Sequence, residues 1–299
     1  MSGRLAEVEG RIDTVRKLSS VIGAMRGIAA ARAQEARAHL DSIRRYAETI
    51  GAGIGQAMAL MPEGDAAGLT DRGARASQAP GDPGHGLILL AAEQGFVGTY
   101  NERLFDAAAP YLTGEGPVFL LGDRGVLLAA ERGRPLRWSA PMVTHPDQVP
   151  RLATRLTEAI FAPLAEGRMQ RLTLLHARPG MATDPGGGEG QMRIVTRPLL
   201  PFDYSRFPPP ASARAAPMLT LPPADLLAGL VEEYVFSELS EAIMMGFAAE
   251  NEARMRAMIA ARANVMDSLN SLTGEARRLR QDEITDEIVE LAAGQRARQ

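Results

Sequence analysis

No proline interrupts residues 3–60, and none follows Pro223, in a chain that carries 20 prolines. Proline inside a helix removes a hydrogen bond and clashes with the preceding turn, so these two end segments are free to form very long helices. Their apolar periodicity says that they do. In the first, Leu5, Val8, Ile12, Val15, Ser19, Ile22, Met25, Ala29, Ala33, Ala36, Leu40, Ile43, Ala47, Ile50, Ile54 and Ala57 step by three or four. That is the repeat of one helix with a coiled-coil seam. Between Gly27 and Ala38 the seam is nearly all alanine, which lets a neighbouring helix approach closely. In the last segment Met244, Phe247, Asn251, Met255, Met258, Ala261, Val265, Leu269, Leu272, Ala276 and Leu279 repeat the pattern. At ~1.5 Å per residue, a helix from Pro223 to Arg296 extends ~110 Å. Gly229, Gly246 and Gly274 each cost it up to about 1 kcal/mol relative to alanine, so it needs packing partners.

The middle of the chain reads differently. A loop rich in Gly, Pro and Asp covers 62–86. Short apolar runs at 87–92, 118–121, 172–176 and 193–196 predict strands, with 138–143 a further one. Helical patterns cover 99–112, 124–132 and 150–166. This alternation predicts a small α/β domain with a largely parallel sheet. A proline-rich passage runs from Pro198 to Pro223. The expected organisation is an N-terminal helix (1–61), a loop (62–86), an α/β domain (87–200), a proline-rich linker (201–223) and a C-terminal helix (224–299). Neither long helix is expected to bury its stripe inside so small a domain. They should pair with each other, antiparallel, as a rod with the domain at one side. The longer second helix leaves a single projecting end, which is unstable unless something surrounds it.

Composition narrows the function classes. Cysteine is absent, which excludes disulfides and thiolate chemistry. The net charge of -3 gives no general case for nucleic acid or a membrane surface. The N-terminus lacks an apolar signal core, and no uncharged apolar run reaches the length of a membrane span. Membrane association is therefore expected only through partners. His39, His85, His145 and His176 have no metal-like spacing, and neither a G-x-S-x-G nor an H-E-x-x-H motif occurs. No cofactor, metal or catalytic residue is expected. Gly186-Gly187-Gly188 precedes a strand and reads as a flexible loop.

One turn does sit where α/β folds bind phosphate. Glu93-Gln94-Gly95-Phe96-Val97-Gly98 follows a strand and opens a helix, although it lacks the full G-x-G-x-x-G spacing and a P-loop lysine. It motivates the alternative reading, a stand-alone α/β nucleotide-binding enzyme with a coiled-coil arm. Charge is also uneven. Residues 224–252 hold seven acidic groups and no basic one, while arginine dominates 254–280. Residues 1–45 carry nine basic and five acidic groups. Antiparallel pairing sets like charges at one end of the rod, which an acidic partner around that end would explain.

Four stretches together resemble the γ chain of F-type ATP synthases. Ala24-Met25-Arg26-Gly27-Ile28-Ala29-Ala30-Ala31-Arg32 is similar to that family's A-M-x-x-V-A-A-A-K stretch. Gly95-Phe96-Val97-Gly98-Thr99-Tyr100-Asn101 resembles its G-L-C-G-x-F-N turn, and residues 253–258, Ala-Arg-Met-Arg-Ala-Met, add a further match. Residues 280–290 resemble its R-Q-x-x-I-T-x-E-L-x-E signature, the most specific of the four. Glu93-Gln94 stands where the family has Asp-Arg or Asp-Lys, and Gln295 where it has alanine. These departures point to a divergent branch, for which the alternate, sodium-transporting synthases are the candidate group. The ion itself is chosen in the membrane rotor.

The resemblance implies a fold and a role. The fold would be mixed, a long antiparallel two-helix coiled coil with a small Rossmann-like α/β domain between its helices. The role would be that of a central rotor shaft without an active site of its own. The shaft would transmit torque between a membrane c-ring and a head of α and β subunits, beside an ε subunit, on the cytoplasmic face of a bacterial membrane. By motif match, Met25 and Arg32 would lie near bearing contacts, and Arg280, Gln281, Thr285 and Glu287 would meet the head. Residues 275–298 would turn in a sleeve. No nucleic acid is implied.

Overall fold

The computed structural model describes residues 2–62, 84–181, 192–208 and 219–296. In chain order the elements are α1 (Ser2–Ala59), β1 (His85–Leu90), α2 (Tyr100–Ala108), β2 (Val118–Leu121), α3 (Asp123–Glu131), β3 (Trp138–Ala140), α4 (Val149–Ala165), β4 (Arg171–Arg178), β5 (Arg193–Leu200) and α5 (Pro223–Arg296). Both proline-free segments are thus single helices, of 58 and 74 residues. The glycine triplet 186–188 and most of the 62–86 loop lie outside the described residues. Contacts group the chain into two units, residues 1–30 with 254–299, and residues 31–253.

The first unit is a helix pair. Val8, Ile12 and Leu272 are buried in its seam, with Val15, Leu269, Ala276 and Leu279 against them. Arg280 reaches Glu9 at 2.5 Å across the pair, with both side chains largely exposed. Surface pairs of this kind contribute little, on the order of 0–1 kcal/mol, so the apolar seam holds the unit together.

The second unit is layered around a five-stranded sheet of order β3-β2-β1-β4-β5. β3, β2, β1 and β4 run parallel, and β5 closes one edge antiparallel to β4. All six residues of β1 and all four of β2 are buried, as expected of parallel strands covered on both faces. Leu87, Leu89, Leu120 and Leu175 meet Leu104, Phe105 and Ala108 of α2 and Ala129 of α3. On the opposite face Ile88, Leu90, Phe119, Leu121 and Leu174 meet Leu152, Leu156 and Ile160 of α4. The same core includes Leu239, Ala242, Ile243 and Phe247 of α5 and Ala36 and Leu40 of α1.

That second layer corrects an expectation. The long helices pair as expected, but part of each stripe, around Ala36 and Leu40 of α1 and residues 239–248 of α5, is buried against the sheet domain. From Ser237 to Arg254, α5 is buried almost all round, as befits a helix sandwiched between a sheet and another helix. Gly246 permits the approach, since a Cβ there would stand 3.2 Å from Met142 Cε and 3.7 Å from Leu90 Cβ. In this unit Arg37 pairs with Glu252, Arg44 with Glu241, and Tyr46 with Glu233. The falling partner numbers show that α1 and α5 run antiparallel.

Other bounds shift for local reasons. β1 begins at His85, inside the expected loop, and β4 spans eight residues. β3 stops at Ala140 because Pro141 follows, and α2 ends at Ala108 ahead of Pro110. β5 continues past the expected Thr196 and through Pro198, where the proline-rich passage begins. An edge strand tolerates proline, and the β4–β5 register is irregular between Leu172 and Thr173, next to the Thr173–Pro198 pair. The expected linker also carries core residues. Phe202 and Phe207 are buried with Ile54, Leu227 and Tyr234.

Gly51 and Gly55, one turn apart on α1, form the notch that seats this linker. A Cβ at Gly55 would lie 2.8 Å from the Pro208 carbonyl oxygen, and one at Gly51 would lie 3.0 Å from the Phe207 ring. Gly55→Ala is expected to lower the unfolding free energy by about 1–3 kcal/mol through overpacking, less up to about 1 kcal/mol of helix propensity. Gly23→Ala, which meets nothing within 4 Å, isolates the propensity gain and is expected to stabilise. Calorimetry on the two variants checks both signs.

Candidate functional site

The crevice beyond the carboxyl ends of β1, β2 and β3 is where an open α/β sheet presents backbone N–H groups to a phosphate. Here those groups already have acceptors. Glu250, on α5, is 3% exposed and takes the backbone N–H of Glu93 on one carboxylate oxygen and that of Gln94 on the other, each at 3.1 Å. The Glu93 carboxylate in turn takes Asp123 N at 3.1 Å and Met142 N at 2.8 Å. Asn101 Oδ1 takes Ala92 N at 3.0 Å. Gly122, at φ 102°, packs so tightly that a Cβ would lie 2.5 Å from Ala91 O. Two carboxylates therefore stand where a phosphate would need donors, and they would repel one. The geometry weighs against the nucleotide-binding alternative.

The same turn displays Phe96, a residue that sequence reasoning did not single out as a contact. Its φ of 60° is unusual for a non-glycine residue, and its side chain is 67% exposed. Val97, beside it, is buried with Tyr100 and Ala249. The only signal in the sequence was the Gly95-to-Gly98 spacing, which marks a tight turn and says nothing of which ring faces out.

A second polar cluster lies where β5 and the 204–207 turn meet α5. Glu238, 5% exposed, pairs with Arg197 and, at 2.8 Å, with Arg206. Arg206 also donates to Tyr234 Oη at 2.9 Å. Burial pushes the Glu238 carboxyl up, but the charges and hydrogen bonds of Arg197 and Arg206 outweigh it and hold the group below the ordinary carboxylate range. A groove of ≈ 490 Å³ opens here, lined by Arg44, Arg197, Arg206, Glu48, Glu238 and Glu241. Each of its arginines has a carboxylate partner. Most of the acidic stretch of α5 is thus spent inside this unit, through Glu233, Glu238, Glu241, Glu250 and Glu252.

The histidines fall in two groups. His39 and His145 are exposed. His85 is buried with Nε2 2.7 Å from Thr173 Oγ1, and His176 is buried with Nδ1 3.0 Å from Ala177 O. Among the described residues no group of three or more His, Asp or Glu side chains is arranged to hold a metal.

The expected contact residues lie on the long helices. Met25 and Arg32 are half-buried on α1. Arg280, Gln281, Thr285 and Glu287 are exposed on α5, with Arg280 engaged by Glu9 and Thr285 Oγ1 donating to Gln281 O at 2.8 Å. Ile284, Ile288 and Val289 beside them are 52–61% exposed. Glu9 and Met25 are sixteen positions apart on α1, about 24 Å at the helical rise, so the Arg280 group and the Met25 region form separate zones.

The family model described as ATP synthase matches residues 4–297. The chain belongs to the ATP synthase γ family. An ATP synthase gamma chain of Frankia casuarinae is 28% identical over 99% of this chain and 98% of its own. That of Parafrankia sp. is 27% identical over the same shares, and that of Beutenbergia cavernae is 28% identical over 70% and 71%. The fold is shared with a chain of the Euglena gracilis mitochondrial ATP synthase, at TM-score 0.62, 10% identity, and coverage of 99% and 95%. A chain of the central stalk and c-ring assembly of Tetrahymena thermophila gives TM-score 0.50 at 15% identity. As a γ-family chain it is a component of a membrane-bound complex, and no described helix is long and apolar enough to cross a membrane.

Proposed function

We propose that this chain is the central shaft of a rotary ATP synthase, carrying torque between a membrane c-ring and a catalytic head of α and β subunits. It would contribute no catalytic residue itself and would sit, with an ε subunit, on the cytoplasmic face of the membrane. The observation that carries this reading is the family match over nearly the whole chain, on a protein whose two end segments are single helices paired in antiparallel fashion. Rotation would act as a differential interaction, favouring one state of each catalytic subunit over another as the shaft's face turns past it.

Particular residues fit parts of that task. Arg280, Gln281, Thr285 and Glu287 form a polar strip beside exposed Ile284, Ile288 and Val289, a surface suited to partner loops and an apolar collar. Met25 and Arg32 would contribute bearing contacts further along α1. Phe96, held outward on a strained turn, adds an apolar contact from the α/β domain. The domain limits at 61, 86, 200 and 223 are proposed on chain pattern.

The test is reconstitution. The purified chain, mixed with its cognate α and β subunits, is expected to yield a complex in which ATP hydrolysis drives rotation of a bead fixed to the shaft. A chain that never joins α and β would overturn the proposal. Saturable nucleotide binding by the isolated chain would favour the enzyme reading instead.

A further inference from the structure

We propose that Glu250 and Glu93 form a two-step carboxylate coupling that fixes the α/β sheet to α5, so that helix and domain turn as one body. This rests on the rotor reading and names the residues that would make the rotor rigid at this point. Glu250 extends from α5 and holds the backbone N–H groups of Glu93 and Gln94, at the end of β1. Glu93 passes the connection on, holding Asp123 N at the start of α3 and Met142 N just past β3. Four amides from three strand ends are therefore tied to one helix position.

Apolar burial is non-directional, whereas a carboxylate with both oxygens engaged by backbone donors adds a directional tie that fixes register. The apolar contacts of Leu239, Ile243 and Phe247 with the sheet supply adhesion, and the carboxylates supply the lock. Two details favour a built coupling over incidental contact. First, α3 has no side-chain cap at its own N-cap residue, Gly122, and Glu93 fills that role from the turn after β1. Second, Glu250 is only 3% exposed, a costly place for a carboxylate unless its hydrogen bonds are made. Tyr100 Oη adds a weaker tie to the same helix, at 3.4 Å from Gly246 O.

The experiment uses the full chain assembled into the complete synthase in vesicles, as wild type, Glu250→Ala, Glu250→Gln and Glu93→Gln. Hydrogen exchange at the amides of residues 93, 94, 123 and 142 is read alongside ATP hydrolysis and ATP-driven ion uptake. Glu250→Ala is expected to speed exchange at Glu93 and Gln94 by about 10–100-fold, the loss of a charge-assisted hydrogen bond. Ion uptake per ATP is expected to fall while hydrolysis persists, since the head still turns over but the domain slips on α5. Glu250→Gln should fall between, and Glu93→Gln should loosen residues 123 and 142 alone. Faster exchange with unchanged uptake per ATP would overturn the coupling role, and unchanged exchange would overturn the bonds themselves. If Glu250→Ala does not assemble, the two amide variants, which keep side-chain size, decide on the same readings. A wild-type chain that fails to couple at all would instead overturn the rotor reading.

Discussion

Phe247→Ala is expected to lower the unfolding free energy by about 3–5 kcal/mol. Phe247 is 2% exposed and lies where α5 meets the sheet, in the core that also contains Leu90, Leu121, Leu174 and Phe119. Removing the ring deletes apolar contact and leaves a cavity, because β1 and β2 are pinned by pairing on both sides and have little freedom to collapse into it. Chemical denaturation of the isolated chain measures the loss. Phe247→Leu, which restores most of the volume, should recover the larger part of it. A loss below about 1 kcal/mol for the alanine variant would mean that α5 is not seated on the sheet as described.

The second large effect is acid lability. His176 lies on β4 with the parity of Leu172 and Leu174, so it faces the α5 layer. Burial pushes its pKa down to about 4 against an ordinary 6.5, with the Ala177 carbonyl pulling the other way. The charged groups Arg197, Glu241 and Glu238 act on it from the neighbouring strand and helix. The folded value is depressed, so the unfolded chain binds the proton first. The stabilisation is complete above pH 6.5 and disappears as the pH falls through 4. A shift of this size corresponds to about 3 kcal/mol, of which about 2 kcal/mol is gone by pH 5. Glu238 continues the trend, since its lowered pKa adds stability that is lost below the ordinary carboxylate range. Unfolding free energies between pH 7.5 and 4.5 should show the decline, and His176→Leu should flatten its upper part. A profile unchanged by that substitution would exclude His176 as the cause.

Much of the architecture could be read from the chain. The two proline-free periodic segments became α1 and α5 because a three-four repeat over dozens of residues has no competing interpretation. Strand 118–121 was placed to the residue, because Gly116-Pro117 and Gly122 delimit it. The burial of α5 between Ser237 and Arg254 was harder to see. A helix covered on two sides shows a blurred stripe, and the pattern that marks the coiled-coil seam also continues into the sheet-facing residues. β5 beyond Thr196 was missed for another reason. Pro198 normally argues against a strand, and only its place at the sheet edge, opposite an irregular register, makes it acceptable.

The candidate site was legible as a location only. The Glu93–Gly98 turn was identified as the phosphate-binding position of an α/β sheet, but its occupant comes from Glu250, 157 positions from Glu93. No local pattern predicts a pairing at that separation. For Met25, Arg32, Arg280, Gln281, Thr285 and Glu287 the sequence supplied helix positions, while their roles depend on other chains.

The internal use of the α5 carboxylates changes how this molecule presents itself to the surrounding solution. Seen as text, residues 224–252 advertise a strongly anionic rod. In space Glu233, Glu238, Glu241, Glu250 and Glu252 are each engaged by an arginine, a tyrosine hydroxyl or main-chain amides of the same unit. Carboxylates paired with arginine at short range, as Glu238, Glu241 and Glu252 are, cast little field beyond a Debye length, about 8 Å in physiological salt. Of the seven acidic groups in that stretch only Asp225 and Glu232 stand exposed, so an encounter there should depend on ionic strength far less than the count of carboxylates suggests.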